Sequence, residues 1–189
     1  MKLLHVDSSI LGDNSASRAV TREIVARLRH TVPGLKVDYL DLAAQELPHF
    51  SAQSLAPGSD AANRDAVILE QFQAADILVI GAPMYNFALP SQLKAWIDRI
   101  VVAGKTFRYG PNGPEGLAKG KRAIVAISRG GVYPENAAAE HAESYLRIIF
   151  GFVGVTDLTF VRAEGLALSP EHRQKGLDAA LTHAKSLAA

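Results

Sequence analysis

The sequence DILVIGAPMYNF, at residues 76–87, carries the strongest structural signal in this chain. Ile77–Ile80 is an unbroken apolar run with three β-branched residues, which predicts a strand buried on both faces of a parallel sheet. Gly81–Pro83 is small or rigid, and we expect the strand to end there. Met84–Phe87 then brings two aromatic rings to the carboxyl end of the strand, where the loops of open α/β sheets line a ligand crevice. The alternative is that these rings only cover the end of the sheet.

Composition limits the class of protein. The chain has 189 residues, 48% of them hydrophobic and 21% charged, as expected for one globular domain spanning residues 1–189. The formal net charge of +1 gives no reason to expect nucleic acid or a membrane surface as a partner. The absence of cysteine excludes disulfides, thiolate metal sites and cysteine nucleophiles. No apolar run approaches the roughly 18 residues of a membrane span, so we expect a soluble, cytoplasmic protein.

A serine-rich loop follows the first predicted strand, Lys2–Val6. It contains Ser9 and then Ser15–Ser17, which immediately precedes the pattern of an amphipathic helix. Small hydroxyls and the unpaired backbone amides of a helix N-terminus together suit a phosphate group. The alternative is that Ser15 or Ser17 only caps the helix, although a cap needs one serine and this loop has three. Neither GxGxxG nor GxxxxGK[ST] is present, which argues against a dinucleotide-binding fold and a P-loop.

A third loop of interest follows the predicted strand Arg122–Ile127. It has the sequence Ser-Arg-Gly-Gly, at Ser128–Gly131. Two glycines at the carboxyl end of a buried strand let backbone amides approach a planar ligand with no Cβ in the way. The alternative is a plain tight turn.

The rest of the chain alternates predicted strands with predicted helices. Ser51–Asn63 is rich in Ser, Ala, Pro, Gly and Asn, and it is predicted to be a long mobile loop, either a lid or a surface excursion. Thr106–Leu117 has three glycines and two prolines and is predicted to form turns, with a hairpin as one arrangement. The other predicted elements are the strands Lys36–Leu42 and Asp157–Val161 and helices at Arg64–Ala75, from Pro90 as first residue to Gly104, at Ala137–Phe150, and from Pro170 onward.

Five β-α repeats of this kind predict a doubly wound α/β fold. The simplest arrangement is a five-stranded parallel sheet in the order 2-1-3-4-5, with helices on both faces. In that order the loops Ser8–Ser17, Pro83–Phe87 and Ser128–Gly131 converge at one edge of the sheet. The first loop suits a phosphate, and the other two suit a flat heteroaromatic ring system. Since FMN has both parts, the sequence predicts an FMN site.

The same segments resemble the FMN-dependent NADH-azoreductases, a flavodoxin-like family that also reduces quinones. The resemblance extends from the first strand to the last helix, and the family often has Gln where this chain has Ala16. The matching segments are the Ser9 loop with Ser15–Ser17, PMYNF at Pro83–Phe87, LPSQLKAWIDR at Leu89–Arg99, TFRYGPNGPEGL at Thr106–Leu117 and SRGG at Ser128–Gly131.

The resemblance implies which residues bind the cofactor. It assigns the FMN phosphate to the serine-rich loop and the isoalloxazine ring to the other two loops. At position 16 one side-chain contact is absent, and the backbone amide remains. The implied contacts are Ser9, Ser15, Ala16 and Ser17 for the phosphate, and Pro83, Met84, Tyr85, Asn86, Phe87, Ser128, Arg129, Gly130 and Gly131 for the ring.

The resemblance also implies an activity. The protein is expected to transfer hydride by a ping-pong mechanism from NADH or NADPH, through FMN, to quinones and aromatic azo compounds. Because a flavin carries this chemistry itself, no catalytic side chain and no metal is expected. A homodimer is implied as well, with Tyr109 and Phe152 bordering the substrate space. Two alternatives stay open: a flavodoxin-type electron carrier, which is normally strongly acidic, and a general flavin or quinone reductase without azo activity.

Overall fold

Seven strands appear in the structure, a computed structural model that describes residues 1–134 and 137–188. They are β1 (Lys2–Asp7), β2 (Lys36–Asp41), β3 (Ile77–Pro83), β4 (Phe107–Gly110), β5 (Gly113–Gly116), β6 (Arg122–Ser128) and β7 (Asp157–Ala163). Five of them form a parallel sheet in the order β2-β1-β3-β6-β7, while β4 and β5 pair as a separate antiparallel hairpin. The predicted order 2-1-3-4-5 is therefore confirmed, and the segment 106–117 does contain a hairpin.

Helices cover both faces of the sheet. They are α1 (Ala16–Thr31), α2 (Asp60–Ala74), α3 (Ser91–Ile100), α4 (Ala142–Val153) and α5 (Pro170–Ser186). α1 and α5 pack on one face, where Ile24 and Leu28 of α1 are fully buried. α2, α3 and α4 pack on the other face, where the rings of Phe72 and Trp96 meet edge to face at 6.2 Å. The two cores hold the carboxyl ends of β1, β3 and β6 side by side.

The strand β3 is longer than the sequence predicts. Gly81–Pro83 does not end it but continues the parallel pairing, opposite residues 126–128 of β6. Gly81 is required there, because a Cβ on it would lie 2.5 Å from Oδ1 of the buried Asp7. Pro83 is tolerated as the last residue of the strand, and the following amide, that of Met84, donates to the Ser128 carbonyl at 2.8 Å.

The prediction of a long loop at Ser51–Asn63 is wrong. A 3₁₀ helix occupies Ala52–Leu55, and α2 begins at Asp60 rather than at Arg64. Ser59 caps α2 by accepting a hydrogen bond from the Ala62 amide at 3.0 Å. A capping serine followed by alanine-rich sequence is itself a helix signal, and the polar composition of the segment obscured it.

The bounds of two other helices differ from the prediction at both ends, since α3 ends at Ile100 before reaching Gly104 and α4 extends beyond Phe150 to Val153. Pro90 precedes α3 as its N-cap residue instead of being its first residue. α4 begins at Ala142 rather than at residue 137, because the carboxylate of Glu140 accepts hydrogen bonds from the first amides of the helix, including that of Glu143 at 2.9 Å. The predicted helix at Pro170, with Ser169 as its cap, is confirmed.

Among the described residues, no helix combines the length and the apolar character that crossing a membrane requires. The same part of the chain has no group of His, Asp and Glu side chains placed to hold a metal ion.

Candidate functional site

Three loops meet at the carboxyl ends of β1, β3 and β6. The Ser9 hydroxyl lies 3.2 Å from the Tyr85 hydroxyl, which also accepts a hydrogen bond from the Ile10 amide at 3.2 Å. These contacts join the serine-rich loop to the loop after β3. The hydrogen bond from Met84 to Ser128 joins the loop after β3 to the loop after β6. The structure therefore brings together the three loops that the sequence analysis singled out.

The serine-rich loop leads into the N-terminus of α1. Ser15 is the cap, because its hydroxyl accepts from the Arg18 amide at 3.2 Å. The Ser17 hydroxyl, by contrast, has one hydrogen-bond partner among the described residues, the Ser15 hydroxyl at 3.1 Å. The amides of Ala16 and Ser17 have no acceptor among the described residues, and the first turn of α1 has no acidic side chain. Two unpaired amides at a positive helix end, beside two hydroxyls, suit a phosphate.

Two arginines donate hydrogen bonds to carbonyls of this loop, and neither was predicted from the sequence to belong to the site. The Arg18 guanidinium donates to the Ser9 carbonyl at 2.8 Å and pairs with Asp41 through two hydrogen bonds, of 2.6 and 2.7 Å. These bonds hold the pKa of Asp41 below its ordinary value. Arg173, on α5, donates to the Asn14 carbonyl at 3.0 Å and so places a positive charge beside the loop. No local sequence pattern connects Arg173 with Asn14, which lies 159 positions earlier.

The loop after β3 forms a strained turn. Tyr85 and Ala88 exchange backbone hydrogen bonds of 2.9 and 3.0 Å, and Asn86 and Phe87 between them have φ values of 48° and 69°. Positive φ at both central positions defines a type I′ turn, in which a bulky residue such as Phe is strongly disfavoured. The turn leaves the amides of Asn86 and Phe87 without an acceptor among the described residues and the Phe87 ring 53% exposed. Strain of this kind is typical of ligand-binding loops.

The loop after β6 also presents backbone amides. The carbonyls of Arg129, Gly130 and Gly131 accept hydrogen bonds of 2.9–3.1 Å from the amides of residues 165–167. In a planar trans peptide, each N–H is directed opposite to the preceding carbonyl. The N–H groups of Gly130 and Gly131 are therefore directed away from the 165–167 turn, and the described residues offer them no acceptor. They form a pair of donors suited to the electron-rich edge of a flat ring.

The Arg129 side chain is directed into a buried acidic cluster. It is 3% exposed and forms ion pairs of 3.1 Å with Glu140, 2.9 Å with Glu143 and 3.0 Å with Glu164. These three carboxylates come from the start of α4, from its first turn and from the loop after β7. The guanidinium thus ties the loop after β6 to two neighbouring elements. Its predicted contact with a cofactor stays a prediction.

Glu143 makes the acidic cluster sensitive to low pH. Burial alone would raise the pKa of Glu143, but hydrogen bonds from Arg162 and Arg147 outweigh it and lower the pKa to about 2, against an ordinary value of 4.5. A carboxylate with a lowered pKa stabilises the fold above its ordinary pKa, and this contribution is lost as the pH falls toward the lowered value.

We therefore expect Glu143→Gln to be less stable than the wild type at pH 7, with a difference in unfolding free energy that shrinks as the pH falls from about 4.5 to about 2. Urea unfolding across this range measures the difference. Asp157→Asn is a suitable control, since Asp157 is an exposed partner, 3.9 Å from Arg122. A Glu143→Gln difference that stays constant with pH would contradict the assignment.

The two aromatic residues predicted to line the substrate space belong to one cluster. The ring of Phe107 lies 5.6 Å from that of Tyr109 and 4.5 Å from that of Phe152, centroid to centroid. The cluster joins the hairpin to the end of α4. Tyr109 is 77% exposed, so most of its ring is available for contact with another molecule.

The sequence is similar to a protein family and to known enzymes over nearly its whole length. Residues 1–187 match the model of a family described as having a flavodoxin-like fold. Over the full length of both chains, the sequence is 55% identical to the FMN-dependent NADH:quinone oxidoreductase 2 of Bradyrhizobium diazoefficiens. It is 54% identical to the FMN-dependent NADH:quinone oxidoreductase of Stenotrophomonas maltophilia, over 96% of this chain and 93% of that one.

A solved structure is similar as well. The FMN-dependent NADH-azoreductase of Bacillus anthracis, crystallised in complex with FMN, has a TM-score of 0.86 to this chain at 28% identity. The match covers 100% of this chain and 99% of that one.

Proposed function

This chain belongs to a family with a flavodoxin-like fold, and we propose that it is an FMN-dependent NADH:quinone oxidoreductase, like the relatives described above. We propose that it also reduces aromatic azo compounds. The observation that carries the proposal is the convergence of three loops whose backbone amides lack acceptors among the described residues. One pair of amides, at Ala16 and Ser17, lies at a helix N-terminus. Two further pairs, at residues 86–87 and 130–131, lie in the neighbouring loops.

The residues present fit both parts of FMN. The phosphate would be held by the amides of Ala16 and Ser17 and by hydroxyls of the serine-rich loop, with Arg173 adding positive charge nearby. The isoalloxazine ring would be held by residues 83–87 on one side and by the donors of Gly130 and Gly131 on another. When bound, FMN accepts hydride from NADH and passes it to the acceptor.

The protein's own part in the reaction is to bind and orient. The Gly130 and Gly131 amides are fixed in place before any ligand arrives, because their loop is already bonded to the 165–167 turn. The exposed Phe87 ring, together with Tyr109 and Phe152, offers flat apolar surface that suits a nicotinamide, a quinone or an aryl azo ring alike. Flat apolar contacts discriminate weakly among such ligands, so one site can serve both the donor and the acceptor.

Assembly and location form part of the same proposal. The resemblance to NADH-azoreductases supports a homodimer in which Tyr109 and Phe152 border the substrate space of one or the other subunit. The large exposed fraction of Tyr109 is consistent with a place at such a border. We place the protein in the cytoplasm as part of the same proposal, since its proposed electron donor NADH is available there.

Steady-state kinetics test the shared site. If NADH and the quinone occupy the same place in turn, initial rates with both substrates varied should give parallel double-reciprocal lines, and high quinone concentrations should compete with NADH. Intersecting lines would indicate a complex with both substrates bound and would contradict the shared site. Absence of any quinone turnover by the FMN-loaded protein would favour an electron carrier instead.

A further inference from the structure

The loop after β7 fixes the direction of the two glycine amides. Its residues Gly165, Leu166 and Ala167 donate to the three carbonyls of residues 129–131, at 2.9, 3.1 and 2.9 Å. A shift or tilt of this loop would turn the amides of Gly130 and Gly131 with it, because each peptide unit is rigid. The position of residues 164–167 therefore decides where the donors are directed.

Glu164 anchors that loop through its side chain. Its Oε1 atom accepts a hydrogen bond from the Arg129 guanidinium at 3.0 Å and another from the Tyr133 amide at 3.2 Å. These two donors lie on either side of Gly130 and Gly131 in the sequence. One carboxylate oxygen thus clamps both ends of the segment that carries the donor pair.

The backbone of Glu164 packs against α5. Gly176 packs so closely against it that a Cβ at position 176 would lie 2.1 Å from the Glu164 carbonyl oxygen. The backbone of Glu164 therefore has no room to move toward α5, while its side chain holds the loop after β6. The clamp is rigid on both sides.

We propose that Glu164 is a positioning residue that raises the midpoint potential of the bound flavin by holding the Gly130 and Gly131 amides in place. This inference rests on the proposed function, since it takes the donor pair to face the flavin ring. The ring becomes more electron-rich on reduction, so well-placed donors stabilise its reduced form more than its oxidised form. Glu164 touches neither the cofactor nor the substrate in this account and acts only through the loop.

The test compares FMN affinity in two redox states. In Glu164→Ala the clamp is lost, and we expect the affinity for reduced FMN to fall about tenfold more than the affinity for oxidised FMN. For a two-electron couple, a tenfold difference lowers the midpoint potential by about 30 mV. Fluorescence titration of the apoprotein gives the affinity for oxidised FMN, and equilibration with a reference dye gives the potential.

Two further variants keep the result interpretable. Glu164→Gln retains an acceptor oxygen for Arg129 and Tyr133, and it should restore most of the wild-type potential. Asp157→Ala removes a carboxylate at the opposite end of β7, whose pairing with Arg122 spans 3.9 Å, and it should leave the potential unchanged.

An unchanged potential in Glu164→Ala, with or without a loss of thermal stability, would reduce Glu164 to a structural role and overturn the proposal. Equal losses of affinity for both redox states would do the same. Failure of the wild-type protein to bind FMN at all would instead overturn the proposed function, so the two failures are distinguishable.

Discussion

Gly116→Ala should destabilise the protein by about 3 kcal/mol and impair quinone reduction more than FMN binding, an effect at the upper end of the range for overpacking. Gly116 ends the hairpin, and its α-carbon faces the turn that terminates α4. A Cβ there would lie 2.2 Å from the amide nitrogen of Gly154 and 2.4 Å from the carbonyl carbon of Val153. Both are backbone atoms, so no side-chain rotation can relieve the clash.

The expected loss of activity follows from what the hairpin carries. To make room, the hairpin must move away from α4, which separates Phe107 from Phe152 and displaces Tyr109. The loops proposed to bind FMN follow β1, β3 and β6 and are separate from the hairpin, so the affinity for FMN should be unchanged. Chemical denaturation gives the change in stability, and the ratio kcat/KM for a quinone gives the functional effect.

Gly110→Ala is the matched control for Gly116→Ala. Gly110 lies in the same hairpin, and the atom nearest to an added Cβ is 3.6 Å away, an ordinary contact distance. We expect Gly110→Ala to stay within about 0.5 kcal/mol of the wild type, as surface substitutions usually do. Equal stabilities for the two variants would show that the close approach at Gly116 has no energetic consequence.

Riboflavin should bind at least about 100-fold more weakly than FMN, a difference of about 2.8 kcal/mol. The two ligands share the ring and differ in the phosphate, for which the structure offers the amides of Ala16 and Ser17 and the positive end of α1. A hydrogen bond to a charged group contributes about 1.5–3 kcal/mol, so two such bonds account for the ratio. Equal affinities for riboflavin and FMN would contradict the assignment of the phosphate to this loop.

Ser17→Ala refines the phosphate assignment. Because Ser15 and not Ser17 caps α1, Ser17→Ala should cause little loss of stability. It should weaken FMN binding by about 1.5–3 kcal/mol, the scale of a hydrogen bond to a charged group. Ser15→Ala should cost about 1 kcal/mol of stability through the lost cap. Titration of both apoproteins with FMN and riboflavin measures the effect. Unchanged FMN affinity in Ser17→Ala would contradict a contact between the Ser17 hydroxyl and the phosphate.

The convergence of the site could be predicted from the sequence. Parallel strands all end at the same edge, so once β1, β3 and β6 are identified as neighbours, the loops after them must meet. The serines of the first loop and the glycines of the third stand out against the apolar strands that precede them, and this contrast is what the sequence offers. The contacts of Ser9 with Tyr85 and of Met84 with Ser128 are a direct consequence of that order.

The hydrogen-bond partners of individual side chains and the backbone strain in the loops could not be predicted in the same way. Arg129 lies in a ligand-like motif, yet its partners Glu143 and Glu164 are 14 and 35 residues away, and no local pattern links them. The strain at Phe87 is equally hidden, because a Phe with positive φ follows no turn rule. Long-range packing determines both features.

The most direct test of the account separates the two halves of the reaction. FMN-loaded protein mixed anaerobically with stoichiometric NADH and no quinone should lose its yellow colour, and quinone added after removal of the nicotinamide should restore the colour and yield a matching amount of quinol. This result is required if one flavin site serves donor and acceptor in turn. Persistence of the yellow colour with NADH alone, or bleaching only when quinone is also present, would contradict the account.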